Sequence, residues 1–221
     1  MEVTKVYQFF IILLLLSGCS SAGGQKSDPM ILFELVKSNI YLGRAAPAVD
    51  VRKLVTRDIL NEAGIPILFI ELEDGRNGTL SLFPGENKPS VWLGADGATV
   101  TVENGVLVST RGMDDDLMHS EYKETLWGMH NLGKDYYKKY TYIVEDNRLK
   151  PILFKCSFDR EDKQAVINVF DNSFSVSILL ETCRGKNKDF QNKYWVENNG
   201  KVRRSMQFHS KAVGQLLIEL L

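Results

Sequence analysis

From Ile67 to the C-terminus the chain is a succession of short apolar runs separated by turn residues, and that punctuation points to antiparallel β architecture. The sharpest instance is Ala98-Thr-Val-Thr-Val102 and Val106-Leu-Val-Ser-Thr110, which flank Glu103-Asn104-Gly105. Asn-Gly between alternating runs marks a type I′ hairpin, because both central residues must take positive φ. A two-residue turn there pairs Val102 with Leu107 and Val100 with Ser109 on one face, and sets Thr101 against Val108 on the other. Both faces are then partly apolar, which suits a sheet covered on two sides or a barrel wall.

The same reading extends along the chain. Ile67 to Leu72 is a buried strand, Thr79 to Phe83 alternates, and Ser90 to Leu93 is a further strand. Tyr136 to Val144, Ile152 to Phe158, Gln164 to Phe170 and Phe174 to Cys183 are four β-rich runs, punctuated by Asp146-Asn147 and Asp171-Asn172. Tyr194-Trp195-Val196 and Val202 to Phe208 flank Asn198-Asn199-Gly200 as another hairpin, and Leu216 to Leu221 is a last apolar stretch. Helical signals come earlier. Asp28-Pro29 opens an apolar stripe through Ile40. A second helical piece covers about Ala48 to Ala63, with Thr56 capping its last part, Gly64 ending it and Pro66 forbidding continuation. Gly112 to Leu132 reads as a loop leading into a short helix, with Asp114, Asp115 and Asp116 in its first turn complementing the helix dipole. The fold class expected is mainly β: a curved antiparallel sheet, barrel- or sandwich-like, with N-terminal helices.

The N-terminus carries an address. Lys5 precedes the apolar run Phe9 to Leu16, which ends in Leu16-Ser17-Gly18-Cys19 and is followed by Ser20 to Ser27. A positive start, a short apolar stretch and small residues make a secretory signal peptide. The eight-residue run is less than half of the roughly 20 residues a spanning helix needs. Cysteine directly after Leu-Ser-Gly resembles the lipobox of bacterial lipoproteins, whose cysteine is lipidated and becomes the first mature residue. On that resemblance residues 1–18 are the signal peptide, 19–27 a lipidated flexible tether and 28–221 one β-rich domain. Cys19 would carry an N-acyl and an S-diacylglycerol lipid, and several chains exceed the single-chain case that binds only marginally. Ser20, where Asp would favour retention in the inner membrane, implies the outer membrane, facing the periplasm.

Cys156 and Cys183 remain, and the periplasm is oxidising. They are expected to pair, contributing about 3–4 kcal/mol in the chain-entropy model; the alternative is two buried thiols that never meet. Apolar content of 44% and charged content of 25% are those of a globular protein, and a net charge of −1 gives no electrostatic case for nucleic acid. No G-x-S-x-G elbow or H-E-x-x-H stands in the chain. His119, His130 and His209 lack metal-ligand spacing to one another or to cysteine. No catalytic residue, metal or further cofactor is expected.

Two blocks carry a family resemblance. One is Trp92-Leu-Gly-Ala-Asp-Gly97, Glu103-Asn-Gly-Val-Leu-Val-Ser-Thr-Arg-Gly112 and Asp116-Leu117. The other is Cys156, Glu181-Thr-Cys183 and Asn192-Lys-Tyr-Trp-Val196 with Ser205 and Gln207. With the lipobox they resemble the YjbF/GfcB family of outer-membrane lipoproteins. The resemblance implies association with group 4 capsule and related exopolysaccharide production and export, no established catalytic activity, and a cysteine pair at the family's spacing.

The expected function is therefore a lipid-anchored, non-enzymatic accessory factor in capsule or exopolysaccharide assembly or export. Its partners would be the outer membrane, other export components or the polysaccharide itself. Trp92, Arg111, Asp114, Asp115 and Asp116 are the candidate binding surface. Tyr136, Tyr137, Tyr140 and Tyr142 are candidate sugar-stacking platforms, with strand packing as the alternative; Trp127 is another candidate, and Trp195 is expected in the core near the cysteines. Arg111, Arg203 and Arg204 would form a small basic patch. The acidic triplet as a Ca²⁺ ligand set competes with a solvated helix start. Two rival functions remain. A carrier of lipid or lipid-linked glycan requires an open cavity. A polysaccharide-modifying hydrolase requires polar residues converging in a cleft.

Overall fold

The computed structural model describes residues 50–85, 88–144 and 148–221. The signal peptide, Cys19, the tether, the helix expected after Pro29, the first residues of the second helical piece and the Asp146-Asn147 turn lie outside the described residues. Among the described residues no helix is long and apolar enough to cross a membrane.

A short 3₁₀ turn at Val51–Lys53 precedes helix α1 (Arg57–Ala63). Thr56 Oγ1 accepts the Ile59 N–H at 3.4 Å, and Gly64 ends α1 at φ 60°. Five strands follow: β1 (Ile67–Leu72), β2 (Asn77–Leu82), β3 (Ser90–Gly94), β4 (Thr99–Glu103) and β5 (Val106–Arg111). Strand β6 (Leu117–Ser120) and helix α2 (Tyr122–His130) lead into β7 (Tyr136–Val144) and β8 (Arg148–Arg160). The chain ends with β9 (Ala165–Val169), β10 (Asn172–Gly185), β11 (Asp189–Val196), β12 (Val202–Ser210) and β13 (Gly214–Leu220).

All pairings are antiparallel, in the order β5-β4-β3-β2-β1-β13-β12-β11-β10-β8-β7-β6, with β9 beside the first half of β10. The ends of this sheet meet through side chains. Leu117 N–H donates to Thr110 Oγ1 at 3.0 Å, the Arg111 guanidinium donates to Leu117 O at 3.2 Å, and the Ser120 hydroxyl donates to Leu107 O. The result is a nearly closed barrel, as the alternation of the runs led one to expect.

Two local expectations are corrected. The Asn104-Gly105 turn forms at φ 43° and 72°, and Val102 does face Leu107. A β-bulge then shifts the register, so Thr101 faces Ser109 and Val100 faces Thr110. The extra residue on β5 sends Thr110 into the interior, where it is fully buried, and leaves Arg111 outside. The second correction concerns Asp114, Asp115 and Asp116. They do not begin a helix; β6 intervenes before α2 starts at Tyr122. Pairing of Leu117 and Ser120 with β7 outweighs the local helical pattern.

Period-two alternation fills the barrel. Tyr136, Lys138, Tyr140 and Tyr142 of β7 point inward and are buried, whereas Tyr137 is 60% exposed. Aromatic rings run across the interior from Tyr140 to Phe154 (5.7 Å), Phe190 (4.9 Å further) and Phe208 (4.7 Å further). Cys156 and Cys183 sit directly opposite each other on β8 and β10 and form a disulfide with Cα atoms 4.1 Å apart. Trp195 does not join them. It packs on the outer face under β9 with Ile167, Val169 and Val176, because its parity is opposite to that of Tyr194.

Candidate functional site

The densest polar cluster surrounds Glu181, which is fully buried. Its Oε1 accepts from Lys138 Nζ at 3.0 Å and from the Tyr136 hydroxyl. Its Oε2 accepts from Asn192 Nδ2 at 2.5 Å and from the Tyr194 hydroxyl at 2.9 Å. Burial works to raise the Glu181 pKa, but the Lys138 charge and the hydrogen bonds of Tyr136, Asn192 and Lys138 outweigh it and hold the carboxyl below its ordinary value. Burial lowers the Lys138 pKa, against the opposing pull of Glu181.

The network continues through side chains to the opposite wall. Asn192 Oδ1 accepts the Phe208 N–H at 2.7 Å, and Gln207 Oε1 accepts the Leu107 N–H at 3.0 Å. Gln207 Nε2 and Ser205 Oγ both donate to Gly105 O, at 2.8 and 2.9 Å. Gly105 is needed at this junction, since a Cβ there would lie 2.6 Å from Val202 Cγ1. Asn104, Gly105, Glu181, Cys183, Asn192, Ser205 and Gln207 all belong to the two blocks that carry the family resemblance. The structure buries Glu181, Cys183, Asn192, Ser205 and Gln207 inside the barrel, while Asn104 and Gly105 meet them at its edge, Asn104 accepting the Val202 N–H at 3.2 Å, so that β5 is tied to β12. Cys156, Glu181 and Cys183 are close enough to hold a metal, but both cysteines are consumed by the disulfide.

The expected surface residues separate. Trp92 is only 5% exposed and points inward, with its Nε1 unpartnered beside a cavity of about 190 Å³ that Arg204 and Ser205 also line. Arg111 and Asp116 build the β5–β6 corner. Asp116 Oδ2 accepts the Gly112 N–H at 2.9 Å and Oδ1 the Met113 N–H at 3.0 Å, while Arg111 holds the Leu117 carbonyl. Asp114 pairs with Arg76 at 3.5 Å, and Asp115 turns outward at φ 54°. The three carboxylates therefore diverge and share no ligand position. Arg203 is engaged by Glu197 and Arg204 by Glu219, apart from Arg111. Tyr136, Tyr140 and Tyr142 are interior packing rather than sugar platforms; Tyr137 and Trp127 keep exposed rings.

A larger cavity, about 860 Å³, opens at the end of the barrel where β7 finishes and β8 begins. Its floor is Tyr142, Ile152, Phe154 and Phe208. Four exposed lysines rim it: Lys150 at the start of β8, Lys186 and Lys188 on the β10–β11 turn, and Lys211 on the β12–β13 turn. Among the described residues none of the four makes an ion pair, and Asp115 is the acidic residue at the opening. Lys188 Nζ stands 5.6 Å from the centre of the Phe208 ring, at the junction of floor and rim. Sequence reading missed this site because its cations come from three separate elements in a chain of near-zero net charge. The only local signal was Lys186-Asn187-Lys188.

Beside the mouth, His209 is fully buried. Its Nε2 lies 2.8 Å from Thr110 Oγ1, and its Nδ1 has no partner. Burial pushes its pKa down to about 4, with Asp116 and Asp115 opposing.

No curated protein matches the sequence. The fold is similar to the crystal structure of the hypothetical lipoprotein YmcC from Escherichia coli, with a TM-score of 0.66 at 18% identity, covering 90% of this chain and 97% of that one. The profile of the group 4 capsule polysaccharide lipoproteins gfcB and YjbF matches residues 48–221, and the chain belongs to that family.

Proposed function

We propose that this protein is a lipid-anchored, non-enzymatic accessory factor in the assembly or export of a capsule or exopolysaccharide at the outer membrane. Lipid on Cys19 would hold the β domain to the periplasmic face, and residues 28–221 would act as one unit. The barrel would then present its lysine-rimmed mouth to an anionic ligand or component of the export apparatus. The observation that carries the reading is that mouth: an open cavity of ligand size, rimmed by four lysines that make no ion pair among the described residues, in a member of a capsule lipoprotein family. The acid–base groups that lie close together, Lys138 and Glu181 with their tyrosines, are sealed in the interior and spent on one another. That arrangement supports a binding role over a hydrolytic one.

The test is a chromosomal deletion with polymer measured separately on the cell surface, in the periplasm and in the cytoplasm. Polymer trapped inside, restored by the native gene but not by Cys19→Ser, is the expected result. Unchanged polymer in every compartment would remove the capsule role, and full rescue by Cys19→Ser would remove the anchor from the mechanism.

A further inference from the structure

We propose that the barrel mouth binds one anionic amphiphile, a phosphate-headed lipid whose chain lies along the floor and whose head is held by the lysines. The proposal rests on reading the mouth as the functional surface, and it names the ligand class.

The floor supports a chain rather than a sugar. Tyr142 gives its hydroxyl to His209 O, and Tyr140, behind it, gives its own to Phe208 O at 3.3 Å. The tyrosine at the mouth therefore offers the cavity a ring face and not a free donor. Phe154, Phe208 and Ile152 add only carbon, and Ser210 Oγ already accepts the Val213 N–H at 3.1 Å. Against Tyr142, Ile152, Phe154 and Phe208, sugar hydroxyls would lose water without gaining partners, which costs free energy, whereas methylenes gain by the same transfer.

The apolar track does not stop at the floor. Ile143 and Leu153, on the β7–β8 hairpin, also line the cavity and are 40% and 56% exposed; Leu149, opposite Ile143, is 63% exposed. Exposed aliphatic side chains grouped beside a cavity are the kind of patch that marks a binding surface. Ile143 and Leu153 therefore give the rim of the cavity an apolar side beside its lysines.

The head position follows from the charges. Lys186, Lys188 and Lys211 stand on two adjacent turns that follow that hairpin in the sheet order, and Lys150 is on its β8 arm. Ammonium groups from separate elements that line one opening, with no ion pair among the described residues, suit a multiply oxygenated anion such as a phosphate diester or monoester. A free anion would use the rim and leave the floor unexplained; an uncharged lipid would use the floor and leave the rim unexplained.

The experiment is native mass spectrometry of the full lipidated chain in nonionic detergent, titrated with phosphatidylglycerol and, in parallel, with phosphatidylcholine of the same acyl chains. One phosphatidylglycerol per chain is expected, preferred over phosphatidylcholine by about tenfold or more. Lys186→Glu/Lys188→Glu/Lys211→Glu should abolish the preference, and Leu153→Asp on the exposed hairpin should weaken binding of either lipid; both changes are on the surface, and an unshifted thermal midpoint checks folding. Equal binding of the two lipids, or no adduct, overturns the proposal. So does competition by inorganic phosphate alone, which would make the mouth a simple anion site, or displacement by a soluble acidic polysaccharide, which would make it a polymer site. A polymer phenotype that persists in the triple variant after lipid binding is lost would separate this site from the capsule role. Unchanged polymer in the deletion, with the adduct intact, would remove the capsule role and leave the site.

Discussion

Lys138→Met is the perturbation that most directly tests how the barrel interior is held. Both charges of the Lys138–Glu181 pair are fully buried, with N–O distances of 3.0 and 3.2 Å. At an effective dielectric constant near 20, two charges 3 Å apart attract by about 5 kcal/mol, and much of that offsets the cost of removing them from water. Removing the lysine alone leaves Glu181 as an uncompensated interior carboxylate. Tyr136, Asn192 and Tyr194 still donate to it, so the expected loss is about 3 kcal/mol, at the low end for breaking a buried pair. Adding Glu181→Gln to Lys138→Met removes the stranded charge and should recover a large part of that loss. Urea unfolding of the disulfide-intact chain at pH 7 measures both. A loss under about 1 kcal/mol for Lys138→Met, or a double variant as unstable as the sum of its singles, would show that the interior does not depend on this ion pair.

Further outcomes follow from the same structure. His209 is neutral in the fold with its pKa down to about 4, against an unfolded value near 6.5, so its contribution is complete above pH 6.5 and falls as pH drops toward 4. That amounts to about 2–3 kcal/mol lost between pH 7 and pH 4.5, and His209→Gln should flatten this part of the pH dependence of the urea midpoint. Gly105→Ala, at φ 72° with its Cβ driven onto Val202, should destabilise by about 1–3 kcal/mol, read from the same unfolding curve. Replacing Cys156 and Cys183 together by serine should cost about 3–4 kcal/mol, and reduction of the native chain should reproduce that shift.

Much of the local structure was legible in the residues because it is decided by near neighbours. The Asn104-Gly105 turn, the Thr56 cap, the Gly64 stop and the strand at Ile67 to Leu72 each follow from a few adjacent side chains. The cysteine pair was legible for a different reason: two thiols remained once Cys19 was assigned to lipid. What the sequence could not decide was everything that depends on which strands meet. The β5 bulge turns Thr110 inward, β6 pairs with β7 where a helix start was expected, and Trp195 goes to the outer face. Lys138 sits between tyrosines and pairs with Glu181, 43 residues away, only because β7, β8 and β10 lie side by side. The mouth is the strongest case. Lys150, Lys186, Lys188 and Lys211 are unremarkable as separate surface residues. Closure of the sheet brings their turns to one end, over a floor of aromatic residues that period-two alternation had already turned inward. Local chemistry thus set the strands and their faces, while the cost of leaving sheet edges and apolar faces in water drove the closure that made a site of them.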